Sequence, residues 1–142
     1  MQYSFKLHLN NENDTQKLAT FLGQHIAQGV IYLIGDLGAG KTTLTRYWLQ
    51  NLGHQGAVKS PTYTIVNEYK KDGKCLFHFD VYRIEDDDDL YSMGFYDYLK
   101  KGICVCEWSE NIPWAIPRDA YRITIERIEE SIEHRRITIE KE

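Results

Sequence analysis

Gly35-Asp36-Leu37-Gly38-Ala39-Gly40-Lys41-Thr42 is the stretch on which the fold turns. Just before it, Val30-Ile31-Tyr32-Leu33-Ile34 is a continuous apolar run, which suits a strand covered on both faces, as in a parallel sheet. After it, Leu44, Trp48 and Leu52 recur at helical spacing up to Gly53. Strand, glycine-rich bend and amphipathic helix, in that order, are the setting that G-x-x-x-x-G-K-[ST] requires. Glycines let the backbone curl with its N–H groups inward and keep Cβ atoms away from a bound phosphate. The following helix offers unpaired N-terminal donors and the positive end of its dipole. Lys41 adds a cation near the β- and γ-oxygens, and Thr42 offers a hydroxyl to Mg²⁺. Thr43 is a candidate for an α-phosphate oxygen. The expectation is that Gly38, Ala39, Gly40, Lys41, Thr42 and Thr43 bind the phosphates of a nucleotide.

Working outward, residues 3–9 alternate as a half-buried strand does. Asp14 is a candidate helix cap, Leu18, Phe21, Leu22 and Ile26 form a helical stripe, and Gly29 is a stop. Residues 62–70 alternate, Lys71-Asp72-Gly73-Lys74 is a turn, and Cys75-Leu76-Phe77-His78-Phe79 resumes as a strand, giving a hairpin. A helix is predicted over 88–100 and a buried strand over Ile103-Cys104-Val105-Cys106. Residues 121–128 and 135–140 read as a closing antiparallel pair. Strands interleaved with helices predict an α/β domain spanning 1–142, with a parallel core sheet and antiparallel additions.

Composition narrows the function. The chain has 142 residues, enough for one core, with about two-thirds of its unfolded surface buried on folding. Seventeen basic against twenty-one acidic residues give a net charge of −4, a poor balance for gripping nucleic acid alone. No apolar run approaches the ~20 residues that span a bilayer. Met1–Lys6 lacks a charged-then-apolar leader, and three cysteines cannot all pair internally. The expectation is a reduced, cytoplasmic chain. The run Asp86–Asp89 reads as a solvated loop and helix cap.

Turnover of a nucleotide needs metal geometry and a placed water. Two acids end strands that deliver them to one edge of the sheet: Asp80 after Leu76–Phe79, and Glu107 after Ile103–Cys106. One can help hold Mg²⁺ while the other orients or deprotonates water, and spacing does not assign the roles. Thr62, in Lys59-Ser60-Pro61-Thr62-Tyr63, stands where nucleotide switches often place a threonine; a plain turn is the alternative. Cys104 and Cys106 read as core rather than a zinc pair, and His78 as structural. Trp108 and Trp114 are either core anchors or an exposed partner patch.

Gly-Asp-Leu-Gly-Ala-Gly-Lys-Thr-Thr at 35–43, Lys-Ser-Pro-Thr-Tyr-Thr at 59–64, His-Phe-Asp-Val-Tyr-Arg at 78–83, Met-Gly-Phe-Tyr-Asp-Tyr at 93–98 and Cys-Glu-Trp-Ser-Glu at 106–110 together resemble the TsaE (YjeE) family. The resemblance runs in order from about Thr15 to Arg136 and is weakest over 111–142. It implies a P-loop NTPase-like three-layer sandwich that binds ATP and Mg²⁺ and hydrolyses ATP slowly alone. It implies action on a TsaD–TsaB complex that transfers a threonylcarbamoyl group to adenosine 37 of tRNA, the ATPase resetting or regulating that complex. The complex would hold the tRNA, consistent with an acidic subunit. By resemblance, Lys41, Thr42 and Thr43 contact phosphates and Mg²⁺, Glu107 is the Mg²⁺-side acid, and Asp80 is the catalytic carboxylate. Thr62 belongs to a switch, Trp108 is functionally sensitive, and Thr15 approaches the base. Arg135 flanks the nucleotide, with Arg136 competing for that alignment.

Two other readings compete: a small-molecule phosphotransferase, for which only Arg83 and Arg118 are central lid candidates, and a nucleotide-gated binding module without turnover. A GTPase is disfavoured because no Asn-Lys-x-Asp segment occurs.

Overall fold

The computed structural model describes residues 3–26, 29–35, 40–53, 66–71, 74–128 and 133–141. Thr62, Gly38 and Ala39 lie outside the described residues, as do 62–65 of the predicted strand.

Among the described residues, seven strands form one sheet: β1 (Tyr3–Leu9), β2 (Gly29–Ile34), β3 (Val66–Lys71), β4 (Lys74–Asp80), β5 (Ile103–Glu107), β6 (Tyr121–Arg127) and β7 (Arg135–Lys141), in the order β1-β7-β6-β2-β5-β4-β3. The pairs β2–β5, β2–β6 and β4–β5 are parallel, whereas β3–β4, β6–β7 and β1–β7 are antiparallel. The predicted parallel core with antiparallel additions is therefore what forms. Two helices, α1 (Glu12–His25) and α2 (Lys41–Asn51), pack on one face through Leu18, Leu22, Leu44, Trp48 and Leu49 against Ile31, Leu33 and Val105. The other face carries α3 (Asp87–Met93), α4 (Phe95–Tyr98) and 3₁₀ turns at Ser109–Asn111 and Pro113–Ala115, over Val30, Phe77, Phe79, Cys104 and Cys106. The result is three layers, with alternate residues of each central strand feeding opposite cores.

Local expectations are corrected at four places. Asp14 is not the cap of α1. Asn11 is, its side chain accepting the Asp14 N–H at 3.0 Å, while Asp14 Oδ2 reaches back to the Asn10 N–H at 2.9 Å. This reciprocal arrangement satisfies donors at the helix start. The same device opens α3, where Asp86 accepts from Asp89 and Asp89 accepts from Glu85, which accounts for the acidic run. Gly29 does not stop α1, which ends at His25; it begins β2 at φ +121°. Phe21 is not core but exposed, stacked on His25 at 4.2 Å, because Leu18, Ala19, Leu22 and Ile26 complete the buried stripe without it. The helix predicted over 88–100 is two, broken at Gly94, whose φ of +80° ends α3 in the left-handed conformation that glycine adopts freely.

Cys104 and Cys106 are buried, and no cluster of three or more metal-type ligands exists among the described residues. Burial pushes the Cys104 thiol up to about 12 and raises that of Cys106 as well, so both are inert core groups. Trp114 is exposed, its indole N–H bonded to Asp87 at 2.9 Å, tying the second 3₁₀ turn to α3. No helix among the described residues is long and apolar enough to cross a membrane.

Gly102 leads into β5 so close to β4 that a Cβ there would lie 2.5 Å from the Cys75 carbonyl oxygen. Gly102→Ala is expected to lower the unfolding free energy by about 1–3 kcal/mol in urea titration, the scale of an overpacked core site; an unchanged midpoint would contradict the close approach.

Candidate functional site

The junction of β2 and α2 sits at the carboxyl end of the parallel strands, with β5 and β6 on either side of β2. Gly40 caps α2 at φ +118°, a conformation closed to most L-residues, and supplies no side chain to occupy the helix start. The first N–H groups of α2 have no intrahelical acceptor, and no acidic side chain stands in the first turn. Thr42 and Thr43 lie in that turn, half-buried.

Beside it, Asp80 and Glu107 end adjacent strands and are direct register partners. Both are buried. Strand alternation puts His78 and Asp80 on the same face as Leu76, toward α1 and α2, with Val105 and Glu107 next to them on β5. Glu107 has two cation-side partners: Lys41 Nζ lies 3.5 Å from Oε1, and His78 Nε2 lies 2.6 Å from Oε2. Burial pushes the Glu107 carboxyl up, but the hydrogen bond and electrostatic pull of His78, with the charge of Lys41, outweigh it and hold the group below its ordinary range. Asp80 Oδ1 accepts the Tyr82 N–H at 2.9 Å, which fixes its carboxylate at the turn leaving β4. Asn111 anchors that turn by donating to the carbonyls of Val81 at 3.3 Å and Tyr82 at 3.0 Å.

Trp108 follows Glu107 and is 41% exposed. Its ring lies against Tyr82, centroids 4.9 Å apart, and Lys41 Nζ stands 5.7 Å from its centre. Trp108 is also the one non-glycine residue with positive φ (65°) among those described. A bulky side chain in this region is a strained exception, of the kind that clusters at functional sites. Both tryptophans are exposed, so neither is a core anchor.

A cleft of about 210 Å³ adjoins the start of α2, lined by Leu9, Glu12, Thr15, Leu18, Gly40, Thr43, Leu44, Ile125, Glu133, Arg135 and Ile137. It brings together four separately predicted residues, Thr15, Gly40, Thr43 and Arg135. Arg136 is not among them: on β7 it stands on the opposite face from Arg135 and Ile137. The apolar walls, Leu9, Leu18, Ile125 and Ile137, went unpredicted because they read simply as core. His78 was also missed as a site residue; its spacing of two from Asp80 places both on one strand face, and that was the available signal. A larger cavity of about 510 Å³ lies on the other face of the sheet, beside Tyr32, Arg118, Arg122 and Glu140; it takes in the phosphotransferase lid candidate Arg118 but none of the residues expected at the nucleotide.

Against known proteins, the family described as "Threonylcarbamoyl adenosine biosynthesis protein TsaE" matches residues 9–137. The chain belongs to the TsaE family. Among its TsaE relatives, each named as a tRNA threonylcarbamoyladenosine biosynthesis protein, that of Haemophilus influenzae is 52% identical over 98 residues, 68% of this chain and 62% of the relative. The aligned stretch thus takes in less than two-thirds of that protein. The Aquifex aeolicus TsaE is 43% identical over 72% of this chain and 74% of its own length, and that of Bacillus subtilis 38% over 82% and 74%. The crystal structure of Bacillus subtilis YdiB superimposes with a TM-score of 0.79 at 32% identity, covering 99% of this chain and 87% of that one. The TsaE match extends beyond both ends of the Thr15–Arg136 segment that carries the resemblance.

Two predictions come from this geometry. Trp108→Gly is expected to be more stable than Trp108→Ala by about 1 kcal/mol in urea unfolding, because both remove the ring and only alanine keeps the left-handed strain; equal stabilities would mean the strain is absent. Because the folded Glu107 is more acidic than its unfolded form, its contribution is present above the ordinary carboxylate pKa of about 4.3 and is lost as pH falls through the lower folded value. Nucleotide-free wild type should therefore exceed Glu107→Gln in urea midpoint near neutral pH, with the gap closing on acidification; a gap independent of pH would contradict the depressed value.

Proposed function

We propose that this chain is a Mg²⁺-dependent ATPase of threonylcarbamoyladenosine biosynthesis, acting in the cytoplasm as a single domain on a TsaD–TsaB transferase complex. The observation that carries the reading is the Lys41–Glu107 contact at the mouth of the strand–loop–helix junction, with Asp80 directly beside it. TsaE membership supplies the pathway.

The residues fit a magnesium site of the usual kind. Mg²⁺ takes few protein ligands and leaves the rest to phosphate and water, so an ionised carboxylate and one hydroxyl suffice. Glu107 and Thr42 are those groups. When bound, Mg²⁺ neutralises charge on the β- and γ-phosphates and templates their geometry.

The chain's own groups do the rest. Gly38, Ala39, Gly40 and the start of α2 cradle the phosphates with backbone N–H groups. Lys41 moves from Glu107 to phosphate oxygens, placing a cation where charge develops. Asp80, fixed by the Tyr82 N–H, orients a water for in-line attack on the γ-phosphorus, and the bond to the β–γ bridging oxygen breaks as inorganic phosphate leaves. Thr43 faces the α-phosphate, and the cleft of Thr15 and Arg135 takes the nucleoside end. Thr62 serves as the switch that senses the γ-phosphate, and Trp108 and Tyr82 face the partner complex. That complex holds the tRNA, so a subunit of net charge −4 need not.

Lys41→Ala is expected to weaken ATP binding by about ten- to a hundredfold by calorimetry, the loss of a charge-assisted contact. Asp80→Asn should bind normally but turn over about a hundredfold more slowly with the partner complex present. Phosphate should appear without any acceptor, and depleting the protein should erase threonylcarbamoyladenosine from bulk tRNA. Variants that hydrolyse ATP like wild type in the assembled complex, or unchanged nucleoside levels, would overturn the proposal.

A further inference from the structure

His78 has no part in the reading above, yet it makes the shortest contact to the acid at its centre. It is fully buried, in the middle of β4, and its register partner is Val105, so it reaches Glu107 diagonally across two parallel strands. Nε2 lies 2.6 Å from Glu107 Oε2. A carboxylate oxygen only accepts, so Nε2 carries the proton and donates. Nδ1 has no partner among the described residues. The whole polar capacity of this buried ring is thus spent on one oxygen. The other oxygen, Oε1, faces Lys41.

A carboxylate on a flexible side chain can turn about its terminal bonds and present either oxygen, or both. One that is hydrogen-bonded from behind cannot, and outer partners of this kind orient metal-binding carboxylates. We propose that His78 is a positioning residue: its Nε2–H holds Glu107 Oε2 so that Oε1 is the oxygen offered first to Lys41 and then to the magnesium of a bound nucleotide. This rests on the reading of Glu107 as the magnesium-side acid. A histidine buried only to fill space would make no such demand, and a residue of equal volume would replace it.

Two replacements separate these roles in the full-length chain. His78→Phe keeps a ring and removes the donor; His78→Gln keeps a donor near the Nε2 position. ADP affinity is measured by calorimetry over a Mg²⁺ titration, and folding is checked by thermal unfolding. In wild type, Mg²⁺ should tighten ADP binding. His78→Phe should raise the half-saturating Mg²⁺ concentration about tenfold while ADP affinity in EDTA stays within about twofold, and His78→Gln should return most of the Mg²⁺ response. A folded His78→Phe with a wild-type Mg²⁺ response overturns the positioning role and leaves the ATPase reading intact. A wild type whose ADP affinity ignores Mg²⁺ overturns the ATPase reading itself, and this inference with it. Should His78→Phe fail to fold, histidine ¹⁵N spectra of wild type decide: a proton on Nε2 in both the nucleotide-free and Mg²⁺–ADP states supports the role, whether or not Nδ1 is also protonated, and an Nε2 without a proton overturns it.

Discussion

A buried carboxylate between two nitrogen donors organises this protein. Removing a charge from water is costly unless it is paired and hydrogen-bonded, and Glu107 meets both conditions only because three elements converge. β5 carries the acid, β4 brings His78 from twenty-nine residues away, and α2 brings Lys41. The Lys41 contact therefore holds the start of α2 against the sheet. On the proposed reading it also couples two ligands. When phosphate draws Lys41 away, Glu107 is left needing a cation, and a magnesium ion arriving with the nucleotide supplies it. Neither ligand suits the site as well alone as both do together.

The geometry depends on strand register rather than on loops. Asp80 and Glu107 stand opposite each other because β4 and β5 run parallel in step. A slip of one residue would turn the acids into the aromatic core beside Phe79 and Cys106 and bring those into the site. The turn after each acid is then pinned from within: the Asp80 carboxylate accepts the Tyr82 N–H, Asn111 donates to the carbonyls of Val81 and Tyr82, and Trp108 is forced into a left-handed backbone. Rigid strands aim the acids, and short bonded turns keep the aromatic residues at the rim.

What could be read beforehand and what could not divide along one physical line. The strand and helix that flank the glycine-rich segment, the parallel core and the two strand-end acids rest on patterns within a dozen residues, and all of these are present among the described residues. His78 is marked only by its spacing of two from Asp80, a weak signal, because a histidine in mid-strand looks like packing until its cross-strand neighbour is known. Arg135 and Arg136 were indistinguishable for a related reason: adjacent residues on a strand face opposite sides, and only pairing with β1 and β6 decides which side is which. Asp14 was misplaced by three residues because cap and third helical position both favour short polar side chains. Phe21 fits the helical period but lies at the margin of a stripe that smaller residues already fill. The break at Gly94 is a backbone conformation, invisible to hydrophobic spacing.

β1 pairs along its length with β7, so that Tyr3 meets Lys141 and Leu9 meets Arg135. Loop-closure entropy makes so distant a pairing a late event in folding. Arg135 belongs to β7, whereas Thr15 lies on α1 and Gly40 caps α2. The cleft lined by all three is therefore complete only once β1 and β7 have paired, so its shape is tied to the slowest contact in the sheet rather than to the helices around it.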